Sequence, residues 1–304
     1  MTPVAATTRI AILAVAITAA ALLAPLVGGA AMAQAGPGPS QNDLSQNDPS
    51  QNDPSQNGQA QGGQPQTGKD GSPGPNDRGQ DDRDCVEAAG SVTPDFALPH
   101  VAEAIALRRL YIAVVGSASS DLTGPRGTNI AYPAVLERTL RGSLDGVDVK
   151  VATHARPRAT AADMDAILQE VLRQGAPALV IWQTGTADAI KGVDPDDFRT
   201  ALEGGVDRVR TAHADVVFVN MQYSPRIEAM LAVSAYADTM RMVAVQHQVD
   251  LFDRFDIMKR WNEDGVFDLG GATRTTGIAE RVHGCLGRLL ATVVVEGARK
   301  ASPP

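Results

Sequence analysis

From Leu110 onward the chain alternates short apolar runs with amphipathic stretches, whereas the residues before Asp84 show no such alternation. Leu110-Tyr-Ile-Ala-Val-Val115 is a continuous apolar run closed by Gly116, the pattern of a parallel strand buried on both faces. Tyr132 to Leu144 follows with Val135, Leu136 and Leu140 at helical spacing. Val147 to Ala152 reads as a second strand, and Thr160-Ala-Ala-Asp163 opens the next helix as a capping box with Asp in place of Glu. Ala178-Leu-Val-Ile-Trp182 is the third strand, Asp215-Val-Val-Phe-Val-Asn220 the fourth and Val249-Asp-Leu-Phe252 a short fifth. Helices are predicted near Asp194 to Ala212, Glu228 to Gln248, Asp253 to Asp264 and Ala279 to Arg299. This order predicts a three-layer α/β/α domain on a five-stranded parallel sheet of flavodoxin-like type, whose ligand site lies at the carboxyl ends of the strands.

The segment before the domain changes how much of the 304 residues can build a core. Arg9 precedes an apolar run from Ile10 to Val27, and Ala31-Met-Ala33 or Ala33-Gln-Ala35 offers a small-x-small cleavage site. Residues 1–35 therefore read as an export signal, with an uncleaved membrane anchor as the alternative. From Ser40 a Ser-Gln-Asn-Asp-Leu/Pro unit repeats and then thins into Gly, Gln, Pro and Asp. Such a composition cannot offset the entropy of ordering, so 36–84 reads as a disordered linker. Residues 85–304 are left as one domain, and about 220 residues suffice for a single α/β core. The expected location is periplasmic or secreted, with no stable membrane span after signal cleavage. A net charge of −8 without a Lys/Arg run gives no footprint for nucleic acid. With 4% aromatic residues, a stacking platform for single strands is also disfavoured. The two cysteines, Cys85 and Cys285, are most simply one disulfide in an exported chain, against a zinc pair or a catalytic thiol.

The predicted carboxyl ends are Gly116-Ser-Ala-Ser-Ser120, Thr153-His-Ala-Arg-Pro-Arg158, Gln183-Thr-Gly-Thr-Ala-Asp188 and Asn220-Met-Gln-Tyr-Ser224. Val-Val-Gly-Ser after the first strand, Ile-Trp-Gln-Thr-Gly-Thr-x-Asp-Ala after the third, and Cys285-Leu-Gly-Arg-Leu-Leu290 in the last helix resemble the SGNH/GDSL hydrolase family, most of all its exported bacterial members. The similarity covers about Cys85 to Ala301. The resemblance implies an acyl-transfer site: a Ser after strand one, a Gly after strand two, an Asn after strand three, and an Asp-x-x-His before the last helix. Chemically this is a Ser-His-Asp set with an oxyanion hole.

Carried over position by position, the functional residues are replaced. The nucleophile position falls on Ala118, flanked by Ser117 and Ser119, and the oxyanion Asn falls on Ala187 while Asp188 is kept. Ala155 and Arg158 stand near the expected glycine, and the Asp-x-x-His falls on Arg274-Thr-Thr-Gly277. The pattern implies a pseudoenzyme, with a possible role in binding a cell-envelope or extracellular glycan. The alternative is a divergent serine ester hydrolase, acting on carboxyl or acetyl-sugar esters. It would use Ser117 or Ser119 as nucleophile and His154 or His283 as base, with Asp188 a further fallback candidate. Arg156 and Arg158 could bind an anion. No metal-ligand spacing and no dinucleotide or phosphate loop is present, so neither cofactor nor metal is expected. Oligomeric state is not encoded in these patterns.

Overall fold

Each apolar run forms a strand, and all the strands pair in parallel. β1 (Arg109–Gly116), β2 (Asp148–Ala155), β3 (Leu179–Gln183), β4 (Asp215–Val219) and β5 (Asp250–Phe252) lie in the order β2-β1-β3-β4-β5. The computed structural model describes residues 85–302 except 86, 91, 123–126, 231–232 and 271–275. Residues 1–35, expected to be an export signal, residues 36–84, expected to be a linker, and Arg274 lie outside the described residues. The helices are α1 (Pro99–Ala106), α2 (Gly127–Ile130), α3 (Tyr132–Ser143), α4 (Ala161–Gly175), α5 (Thr186–Lys191), α6 (Pro195–Thr211), α7 (Pro225–Met230), α8 (Val233–Gln246), α9 (Arg254–Glu263) and α10 (Thr276–Ala301).

Strand alternation divides the core into two layers. Leu110, Ile112 and Val114 of β1 join Leu179, Ile181, Val217 and Val219 beneath α1, α3, α9 and α10. Ala113, Val115, Val180, Trp182 and Phe218 face α4, α6 and α8. The fold is thus a three-layer α/β/α sandwich.

Local chemistry starts the helices where they begin. Thr160 and Asp163 form a reciprocal capping box at α4. Asp194 caps α6, with Pro195 in its first turn. Three differences from the sequence expectation bear on the site. β2 runs to Ala155, so His154 and Ala155 belong to the strand and not to a loop. The turn after β3 continues at once into α5. The segment read as one helix near 228–248 is α7 and α8, on either side of 231–232.

Two features hold α10 in place. Cys85 and Cys285 are disulfide-bonded with Cα atoms 6.2 Å apart, joining the start of the domain to its last helix. On a chain-entropy account a closure this long contributes at most about 5 kcal/mol. At Gly287 a Cβ would stand 2.5 Å from Val135 Cβ and 2.8 Å from the Tyr132 carbonyl oxygen, so only glycine lets α10 approach α3 this closely. One turn earlier on α10, that approach sets His283 against Tyr132. Among the described residues, no helix is long and apolar enough to cross a membrane.

Candidate functional site

The carboxyl end of β1 turns sharply. A single 3₁₀ turn, Ala118–Ser120, is closed by Ser120 N donating to the Ser117 carbonyl at 2.9 Å. It folds back over Gly116, where a Cβ would meet Ser120 Oγ at 2.3 Å, so the turn depends on the missing side chain. Ala118 is exposed, Ser117 and Ser119 are half-buried, and Ser120 is buried. All three serine hydroxyls point at one acceptor, Gln183 Oε1 at the end of β3. Ser117 Oγ lies at 3.1 Å, Ser119 Oγ at 3.1 Å and Ser120 Oγ at 3.0 Å. The backbone N–H of Ser117 also donates there at 3.0 Å, which settles which end of the amide faces the turn. Gln183 is fully buried and its Nε2 has no hydrogen-bond partner. With Ser120 Oγ donating to Gln183, Tyr132 Oη donates to Ser120 Oγ at 2.8 Å.

A buried cation completes the cluster. Arg254, the first residue of α9, is 1% exposed, and its Nη1 donates to Ser119 Oγ at 3.2 Å. Its Nε and Nη2 have no partner, and among the described residues no carboxylate pairs with it. Burial pushes the guanidinium down to about 10. Its neighbour Asp253 is committed elsewhere, accepting from Asn220 Nδ2 at 2.7 Å and from Arg241 Nη2 at 2.7 Å. Asn220 Oδ1 in turn accepts from Phe255 N at 2.9 Å. These bonds fasten the start of α9 to the end of β4 and hold Arg254 over the β1 turn.

The histidines do not complete a catalytic set. Of the chain's five, His100, His213 and His247 stand away from the β1 turn: His100 is in α1, His213 just before β4, and His247 after α8. His283 is buried in α10 and stacks on Tyr132, with ring centroids 5.9 Å apart. Its Nδ1 accepts the backbone N–H of Tyr132 at 3.0 Å, so in the neutral ring the proton sits on Nε2. A base in this family type needs the opposite tautomer, with Nδ1–H given to a carboxylate and Nε2 free to take a proton. Burial, and then the positive charge of Arg254, lower His283 to about 4. His154 pairs in register with Val115, whose side chain faces α4, α6 and α8, so it stands on the other side of the sheet from Gln183. Its Nε2 is buried without a partner, and desolvation lowers its basicity.

The remaining expected residues have structural partners. Asp188 is buried and accepts from Ala161 N at 3.0 Å, Gly185 N at 3.2 Å and Thr184 Oγ1 at 3.3 Å, tying α4 to the start of α5. It touches no histidine, and desolvation outweighs these bonds to raise its carboxyl above the usual range. Ala187 is buried in the first turn of α5. Arg156 pairs with Asp163 at 3.4 Å, Arg158 is exposed with φ +62°, and Gly277 is exposed in the first turn of α10. Among the described residues, no group of three or more His, Cys, Asp or Glu gathers as a metal site.

The structure therefore brings Ser117 and Ser119 together on Gln183, with His283 linked to this cluster only through Tyr132, and adds Ser120, Gln183, Tyr132 and Arg254, which sequence reasoning left out as functional candidates. Arg254 carried one usable signal, a charged residue just past the carboxyl end of a strand.

Three solved structures are similar to this chain. LAE5, an α/β hydrolase enzyme from the metagenome of Lake Arreo, is 16% identical with a TM-score of 0.50, covering 60% of this chain and 94% of its own. A variant of Axe2, an acetyl-xylooligosaccharide esterase of Geobacillus stearothermophilus, is 14% identical with a TM-score of 0.50, covering 61% and 94%. TesA is 25% identical with a TM-score of 0.48, covering 59% and 95%. Comparison with curated proteins finds no match. The family model of the non-GDSL lipase-like family matches residues 84–300. On that match, which spans most of its length, the chain belongs to the non-GDSL lipase-like family, and its fold is that of the SGNH/GDSL hydrolases.

Proposed function

We propose that this is an exported, non-catalytic member of the family, a domain that binds at the carboxyl edge of its sheet instead of hydrolysing esters there. One observation carries the reading: Ser117, Ser119 and Ser120 all give their hydroxyls to the Gln183 amide oxygen, and none meets a histidine. An amide oxygen cannot take a proton from an attacking serine at neutral pH, so the hydroxyls have no general base. Ala118 at the family's nucleophile position and Gly277 at its histidine position support the same conclusion. Export rests on the signal-like residues 1–35 and the linker-like 36–84, and a Cys85–Cys285 disulfide suits an oxidising compartment. A cell-envelope or extracellular glycan is the proposed partner.

One observation favours the divergent-esterase reading. Ser119 is half-buried, and Arg254 Nη1 at 3.2 Å would favour its alkoxide. A serine-reactive phosphonate decides between them. No labelling of the purified protein supports a binding domain. Labelling that is lost in Ser119→Ala establishes an enzyme.

A further inference from the structure

The two unpartnered donors of Arg254, Nε and Nη2, form one edge of the guanidinium. Their parallel N–H bonds match the two oxygens of a planar oxyanion. The opposite side of the group is engaged, with Nη1 on Ser119 Oγ at 3.2 Å. Gln183 Nε2, another buried donor without a partner, is joined to the guanidinium through that same hydroxyl, since Ser119 Oγ donates to Gln183 Oε1 at 3.1 Å. Among the described residues, no acceptor competes for the edge. Asp253, the nearest acid in sequence, is held by Asn220 and Arg241. Tyr132 favours the charged guanidinium only as a phenolate, a form that burial disfavours, and His283 supplies no negative charge. A buried guanidinium is ordinarily paired with an anion, because an uncompensated one loses its hydration and regains nothing.

We propose that the Nε/Nη2 edge of Arg254 binds a carboxylate in two-point fashion. The inference rests on the reading that this edge of the sheet binds rather than hydrolyses. It adds the chemical class of the ligand. That class has two sources, the uronic acid of an acidic glycan and a small free carboxylate. The guanidinium is out of contact with solvent, so entry requires local opening. The exposed Ala118 and half-buried Ser119 place the β1 turn between it and the outside.

The test is a thermal-shift and calorimetric titration of the full chain with sodium glucuronate, sodium acetate, glucose and sodium sulfate at matched ionic strength. A saturable rise in Tm is expected with carboxylate and none with glucose. Glucuronate alone points to a glycan-borne acid, and an equal response to acetate points to a free one. Arg254→Met abolishes the response. Arg254→Lys, which keeps the charge and loses the edge, weakens it about tenfold, the equivalent of one charge-assisted hydrogen bond. If Arg254→Met does not fold, the Nε–H resonance of Arg254 in the wild-type protein reads the same event, moving on titration with carboxylate. No saturable response to either carboxylate, an equal response to sulfate, or a response that survives intact in folded Arg254→Met overturns the proposal. Ester turnover that depends on Ser119 overturns the non-catalytic reading by itself and leaves the carboxylate response to be judged separately.

Discussion

Two buried charges at opposite ends of the sheet, Asp215 and Arg254, are satisfied to different degrees. At the amino end, Asp215 opens β4 at 8% exposure, and both its oxygens are partnered. His100 Nδ1 donates to Oδ1 at 2.9 Å and Val101 N donates to Oδ2 at 2.9 Å, so the carboxylate secures the first turn of α1. Burial still raises this carboxyl above its usual range. At the carboxyl end, Arg254 is buried more deeply and makes a single hydrogen bond. Buried polar groups that only hold an architecture together are nearly always satisfied. Asp250 Oδ2, at the start of β5, is also unpartnered. The open edge of Arg254 is therefore set apart by its place, at the end of the sheet where parallel α/β folds bind ligands, and the proposed carboxylate site rests on that place.

Four outcomes would break or sharpen this contrast. The largest concerns His283, ordinarily near 6.5 and held at about 4 in the fold. At about 1.4 kcal/mol per pH unit this gives about 3 kcal/mol. Because the folded value is depressed, the stability is fully present above pH 6.5 and is lost as pH falls through about 4. Urea unfolding from pH 7 to pH 3.5 should show that slope, and His283→Gln should flatten it; an unchanged slope would mean His283 is not buried as described. Next, Asp215→Ala should destabilise by about 2 kcal/mol, because it strands the Val101 N–H and frees the start of α1. A neutral result would remove the amino-end half of the contrast.

Arg254→Met should act in the opposite direction. In buffer without carboxylate it should stabilise by about 1.5 kcal/mol, since it replaces an uncompensated charge with a side chain of similar length. A loss of stability would show that the guanidinium is satisfied in solution. The smallest effect is expected for Ser120→Ala, about 1 kcal/mol destabilising by denaturant midpoint, because Tyr132 Oη loses its acceptor in a buried place. A stabilising result would place the Tyr132 hydroxyl in water.

Much of the fold was legible because strands buried on both faces read as unbroken apolar runs, and each run of this chain became a strand. β2 was read short because Thr153, His154 and Ala155 are half-buried at a sheet edge and carry no apolar signal. α5 escaped notice because it is six residues long and begins at a glycine turn. Gly287 lies in the Cys285-Leu-Gly-Arg motif that carried the family resemblance, and its close packing on α3 gives that motif a physical reason.

The site was less legible. Ser117 and Ser119 could be found from their place after a strand, but their partner could not. Gln183 was one polar residue at the end of an apolar run, and Arg254 looked like any charged first turn of a surface helix. Only the packing of α9 against the sheet, held by Asn220 and Asp253, places that arginine over the β1 turn. Local pattern carries no information about such a meeting.

The central claim is that the serines of the β1 turn have no base, and ester turnover tests it most directly. Hydrolysis of p-nitrophenyl acetate and butyrate would be followed for the wild type beside Ser117→Ala, Ser119→Ala and Ser120→Ala. The account expects a wild-type rate indistinguishable from the three variants and from buffer. A rate well above buffer that collapses in any one of them would show a working nucleophile in this turn and would contradict the account.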